Sequence, residues 1–258
     1  MSASRPPKPP PPINRRRRPE PWPALPASWQ TTCGARSARS AAGTTATFQS
    51  PTPLIQVIDR RYGYGGNESV FEDLDAANLA RVIDTRRGLP VALGIVYMEV
   101  CNRLGWSLVG LDFPGRFLVR LEDAGGRMIL DLFEGGRELM PPDLRGMLKT
   151  MAGSDAELHP RYLSEMTARQ VVLRLEDNIR VRQMQRGELA DAADTISLML
   201  LVAPDTGHLW REAGIVNARL DRIARAVEAL EEYLKRAPGE ENGYEASLLL
   251  QELRAKLN

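Results

Sequence analysis

The sequence predicts an α+β domain, one central helix on an antiparallel sheet, followed by an all-α region of helical repeats. Two observations carry this. A run that is apolar almost all round, "PVALGIVYMEVCNRLG" from Pro90, precedes three strand-like runs, "SLVGLDF", "RFLVRLE" and "RMILDLF"; a buried helix beside short alternating strands is an α+β pattern. From Pro142 onward the chain reads as helix, and there two "AP" pairs, ending at Pro204 and Pro238, stand 34 residues apart.

With 258 residues, 43% of them hydrophobic, the chain can bury a core of one or two domains. It has no run near the roughly 18–20 apolar residues of a membrane span, so no membrane partner is expected. Its start, "MSASRPPKPPPPINRRRR", lacks the apolar core of a secretory signal. Two cysteines, Cys33 and Cys101, cannot form a disulfide framework, which points to the cytoplasm.

Charge is uneven along the chain. Residues 1–53 hold eight Lys or Arg against Glu20 alone, and 12 of the 19 prolines. That segment carries +7 of a total of +1, so the remainder carries −6. The span 1–53 is expected to be a disordered basic tail, 54–160 the α+β domain and 161–258 the repeats. Arg15–Arg18 is a candidate nucleic-acid contact, but no aromatic residues are interleaved with it, so a nucleic-acid role is not the expected one.

Order should begin near residue 54. In "DLDAANLARVIDTRRG", Leu79, Val82 and Ile83 share a helical face, Asp73 and Asp75 are cap candidates, and Gly88 is the C-terminal stop. Pro90 suits the first turn of the next helix, which Gly105 ends. The last two strand runs are joined by "DAGG". With that as a four-residue loop, Glu122 faces Arg127 and Leu118 faces Asp131, so Arg116, Leu118, Arg120, Ile129 and Asp131 share one face. Arg116 and Asp131 are then diagonal neighbours within arginine's reach. "PPDLRGMLKTM" reads as a further helix.

The proline spacing of the helical half equals the tetratricopeptide period. In that register the unit from Gly207 brings Trp210, Gly214, Ala226, Leu230 and Tyr233 to the signature positions. The unit from Leu173 keeps Ala192, Ile196 and Met199 but has Arg180 where a small residue belongs, and "ENGYEASLLLQELRAKL" resembles a closing helix.

Chemistry-bearing clusters are scarce. His159 and His208 lack ligand spacing to each other or to a cysteine, so neither a metal nor a cofactor is expected. Cys101 lies three turns into the apolar helix, where a thiol is a small packed hydrophobe.

Three blocks, "RRGLPVALGIVYMEVCNRLGW", "GLDFPGRFLVRLE" and "ILDLFEGGREL", followed by the repeats, resemble the bacterial Sir-B-type proteins over about residues 57–258. Those proteins carry a transglutaminase-like domain joined to tetratricopeptide repeats. The resemblance implies a papain/transglutaminase-like fold, whose triad sets Cys at the start of a buried helix, His on one strand and Asp on the next. Matched residue by residue, the thiol would stand at or beside Pro90, the histidine at Arg116 and the acid at Asp131, with Leu132 in place of the usual proline. Only the acid is kept, and a guanidinium cannot act as a base near neutral pH.

The expected function is therefore a non-catalytic interaction scaffold: a degenerate domain, with Arg116, Arg120 and Asp131 in a cleft, coupled to a groove that binds a peptide or protein partner. Repeat geometry points to Arg174, Asp177, Asn178 and Val181 on one helix and His208, Arg211, Glu212 and Ile215 on the next as the groove. Two other classes stay open, a cysteine-type amidase or transglutaminase using a displaced thiol and a nucleic-acid-associated factor using the tail.

Overall fold

Leu54, Ile55, Val57 and Ile58 bury a first helical segment, α-helical over Pro53–Ile55 and of π type over Gln56–Arg61. The computed structural model describes residues 53–123, 126–236 and 242–257. Arg15–Arg18, Cys33 and Pro238 lie outside the described residues. Two 3-10 turns follow, Glu68–Phe71 and Leu74–Ala77, and then helix α1, Leu79–Thr85.

Two expectations about α1 are corrected. Asp73 caps only the short turn before it, accepting from the Asp75 N–H, whereas Asn78 caps α1 by accepting from the N–H groups of Ala80 and Arg81. The helix stops at Arg86, which takes the left-handed conformation (φ 61°) that glycine usually supplies. Gly88 serves packing instead: a Cβ there would lie 2.9 Å from a Val82 methyl.

Helix α2 spans Pro90–Leu104, with proline in its first turn and Gly105 at φ 70° closing it, as expected. A sheet of four antiparallel strands follows in the order β1 (Ser107–Leu111), β2 (Leu118–Asp123), β3 (Gly126–Asp131) and β4 (Arg137–Glu138). The β2–β3 register is the expected one, Glu122 opposite Arg127, but the strands run on to pair Asp123 with Gly126, so the loop is shorter. The two-residue β4 was not anticipated. It is too short for an alternating pattern to register.

The sheet has two buried faces. Val119, Leu121, Met128 and Leu130 point toward α2 and join its core with Phe117. Leu111, Leu118 and Leu139 point the other way and pack with Leu144 and Leu148 of α3, Pro141–Ala152. Residues 164–166 then run beside β1, where the Asp112 N–H donates to the Ser164 carbonyl (3.0 Å) and the Met166 N–H to the Gly110 carbonyl (2.9 Å). This edge delivers the chain to α4.

Helix α4, Ala168–Arg186, opens with a capping box between Thr167 and Gln170. It pairs with α5 (Leu189–Val202), α6 (Gly207–Arg219) with α7 (Ile223–Arg236), and α8 (Gly243–Leu257) closes the array. The repeat register explains the packing. Ala226, Leu230 and Tyr233 are fully buried, and a Cβ on Gly214 would come within 2.6 Å of Leu230. Ala192 and Ile196 are buried in the same way, while Arg180, too large for the small-residue position, forms ion pairs with Asp177 and Glu212. Val171 and Leu175 of α4 enter the core of α2, so the first repeat helix also belongs to the preceding domain.

Candidate functional site

The hairpin alternation decides which residues meet. Arg116 and Asp131 line a cavity beside α3, whereas Phe117 faces α2, its ring against Gly94, where a Cβ would lie 2.3 Å away. The three matched positions therefore divide between two cavities. Pro90 lines one, and Arg116 and Asp131 line the other.

Asp131 is 1% exposed and organises the turn after β3. Its Oδ1 accepts from the N–H groups of Phe133 (3.0 Å) and Glu134 (3.3 Å), and its Oδ2 lies 2.5 Å from Arg116 Nε. That Nε–H is sealed from water without an aligned hydrogen bond, so the contact is ionic rather than directed. Burial raises the Asp131 carboxyl above its ordinary range, opposed by the Arg116 guanidinium and the Glu134 N–H. Arg116 also reaches Glu134 (2.9 Å) and lies over the Phe133 ring. These charges, with Arg137 and Asp143, border a cavity of about 400 Å³ beside α3.

Arg120, expected in this cleft, does not line it. It pairs with Glu122 and Glu165 and donates to the Leu163 carbonyl (3.1 Å), tying β2 to the segment that leads into α4.

The other cavity, about 560 Å³, lies between the α2 N-terminus, the β1–β2 connection and the first repeats. Val91, Phe117, Met199 and Leu209 give it a buried apolar floor. Of the eight groove residues expected from the repeat register, Arg174, Asp177, Asn178 and His208 line it. Val181, Arg211, Glu212 and Ile215 do not. Glu212 lies 2.5 Å from Arg180 and Arg211 lies 3.5 Å from Glu245, so both are used between repeat helices.

Arg174 is the most engaged group of this cavity. It donates to the Phe113 carbonyl (2.9 Å), lies over the Phe117 ring and stands 3.8 Å from Asp112. Desolvation lowers its pKa, against the pull of Asp112 and Asp177. Farther along α4, Arg182 donates to the Phe71 carbonyl (2.7 Å) and Arg186 to that of Glu72. Phe71, Asp112 and Met166 were missed as lining residues because they sit in connections with no periodic signal. Only the tertiary path of the chain brings them to α4.

Cys101 is fully buried inside α2, which removes the accessible sulfur that a displaced-thiol mechanism needs. Among the described residues no group of three His, Cys, Asp or Glu side chains could hold a metal ion, and no helix is long and apolar enough to cross a membrane.

Comparison with known proteins agrees with this layout. The model of the transglutaminase-like superfamily matches residues 33–177, and a tetratricopeptide repeat model matches 179–253. A UPF0162 protein of Xylella fastidiosa is 29% identical over 198 residues, covering 74% of this chain and 70% of the relative. UPF0162 protein PA3419 of Pseudomonas aeruginosa is 37% identical over 159 residues, 59% of this chain and 58% of its own. Protein SirB1 of Salmonella typhimurium is 26% identical over 185 residues, 72% of this chain and 69% of its own.

Proposed function

Because the chain belongs to the transglutaminase-like superfamily and continues into tetratricopeptide repeats, as in Sir-B-type proteins, we propose that it is a non-catalytic interaction module of the cytoplasm. On this reading the partner is a peptide segment, held in the cavity between the α2 N-terminus and the first repeats. One observation carries the reading. Pro90, where a nucleophile would stand, shares that cavity with Arg174, Asp177, Asn178 and His208 of the repeats. A space that would admit an acyl substrate is bordered here by proline and apolar side chains on one side and repeat-helix polar groups on the other.

On this reading the cavity is not a centre of turnover. Arg116 lines the other cavity, and its guanidinium stays protonated near neutral pH, so it cannot take a proton from a nucleophile. Apolar area on the floor and hydrogen-bonding groups at the edge suit retention of a peptide, which needs both an anchor and an orientation.

The test replaces exposed His208 in the full chain with a photo-crosslinking amino acid and irradiates it in native extract. A discrete adduct that disappears with Phe71→Ala supports the cavity as the docking site. Absence of any adduct, or one indifferent to Phe71→Ala, overturns it.

A further inference from the structure

Two ion pairs with their carboxylate at this cavity, and a third farther along the repeat helices, share one orientation: the arginine is sunk and the carboxylate stands out. Side-chain exposure is 22% for Arg174 against 65% for Asp112, 16% for Arg180 against 49% for Asp177, and 27% for Arg211 against 73% for Glu245. Asp177, Arg211 and Glu245 recur at 34-residue intervals, so they stand at equivalent places on α4, α6 and α8 and form a row along the array.

The guanidinium groups spend their donors inward. Arg174 bonds the Phe113 carbonyl, and Arg180 is held by Asp177 and Glu212. The carboxylates keep spare acceptors. Asp112 and Glu245 stand at 3.8 and 3.5 Å from their arginines, beyond a good hydrogen bond, and Asp177 uses only Oδ1 for both bonds from Arg180. A visitor to the groove meets negative charge first and apolar floor beneath it.

Resting on the interaction reading above, we infer that the partner segment is cationic: an apolar side chain seated on Val91, Phe117 and Leu209, flanked by Lys or Arg that reach Asp112 and Asp177 at the cavity and, farther along the row, Glu245. An acidic segment would place its charges against these same carboxylates, and like charges brought together across an interface select against it.

Fluorescence anisotropy on the full chain tests this with two labelled synthetic peptides, Lys-Arg-Leu-Phe-Arg-Lys and Glu-Asp-Leu-Phe-Asp-Glu. The cationic peptide is expected to bind at least about tenfold more tightly, and to weaken as salt shortens the screening length. The triple variant Asp112→Asn, Asp177→Asn, Glu245→Gln should weaken it roughly tenfold, about 1.4 kcal/mol shared among three solvent-exposed rim contacts. Equal binding of the two peptides, or an unchanged triple variant, overturns the charge assignment.

Phe71→Ala separates the two levels of the argument. Preferred binding of the acidic peptide that Phe71→Ala still weakens would leave the docking cavity standing and remove the cationic partner; no response of either peptide to Phe71→Ala would remove both. Binding that appears only once Arg15, Arg16, Arg17 and Arg18 are replaced by alanine would make the chain's own tail the occupant and overturn a partner in trans. Thermal melts of each variant confirm that the comparison is between folded proteins.

Discussion

Arg116 and Asp131 form their 2.5 Å ion pair at the cavity beside α3, not at the one that Pro90 lines. Asp131 organises a turn, accepting from two backbone N–H groups, and Arg116 bridges that carboxylate and Glu134.

This division makes the pair's contributions unequal. Arg116→Met leaves a buried carboxylate with only backbone donors and should cost about 3 kcal/mol near neutral pH. Asp131→Ala loses two turn hydrogen bonds but leaves Arg116 its bond to Glu134, for about 2 kcal/mol. Asp131→Asn keeps an acceptor for the turn and should cost the least. Urea denaturation of the three variants checks the order.

A thiol at the helix start should be reactive without being catalytic. Pro90→Cys places sulfur in the first turn of α2, lining the larger cavity, where the helix dipole lowers a thiol pKa. Iodoacetamide should label it. Adding Arg116→His should produce no amide or acyl turnover, because position 116 opens onto the other cavity. Turnover by the double variant, seen as release of p-nitrophenol from its acetate, would show that the two positions do meet.

Glu176 on α4 supplies a pH dependence with one cause. Burial alone raises its carboxyl above the ordinary range. The folded state therefore holds that proton more tightly than the unfolded chain does, and the contribution to stability is present below the unfolded carboxylate pKa and lost as pH rises through the raised value. Glu176→Gln should raise the thermal midpoint near neutral pH, with the gain shrinking toward about pH 4. Melting curves of both proteins across this range measure it; a gain that is constant with pH refutes the assignment.

Arg182 and Arg186 hold the 68–73 region through the main-chain carbonyls of Phe71 and Glu72. Replacing both by alanine should cost about 2 kcal/mol and raise amide exchange at residues 68–77, because two charge-assisted bonds are lost. Exchange that rises equally in α7 would indicate global rather than local loosening.

Much of this architecture was legible because its signals are local. Pro90 and Gly105 bracket α2, and the Glu122–Arg127 register follows from the pleat. Trp210, Gly214, Ala226 and Leu230 announce the repeat. The cap at Asn78 and the stop at Arg86 were obscured by stronger formal candidates nearby, Asp73 and Gly88, whose actual tasks are a preceding turn and close packing.

The site was less legible. Alternation places Arg116 with Asp131, but it does not say which face of the hairpin α2 will cover, and that choice separates both from Pro90. Repeat numbering found Arg174, Asp177, Asn178 and His208. It also nominated Arg211 and Glu212, which serve contacts between neighbouring repeat helices.

The seating of Val171 and Leu175 in the core of α2 has a bearing on how this chain can be cut or recombined. A fragment ending before α4 would present that aliphatic seat to water, and a transplanted array beginning at α5 would arrive without its anchor. Dissection of the molecule should keep α4 attached on both sides, as a shared beam rather than as the first step of a detachable staircase.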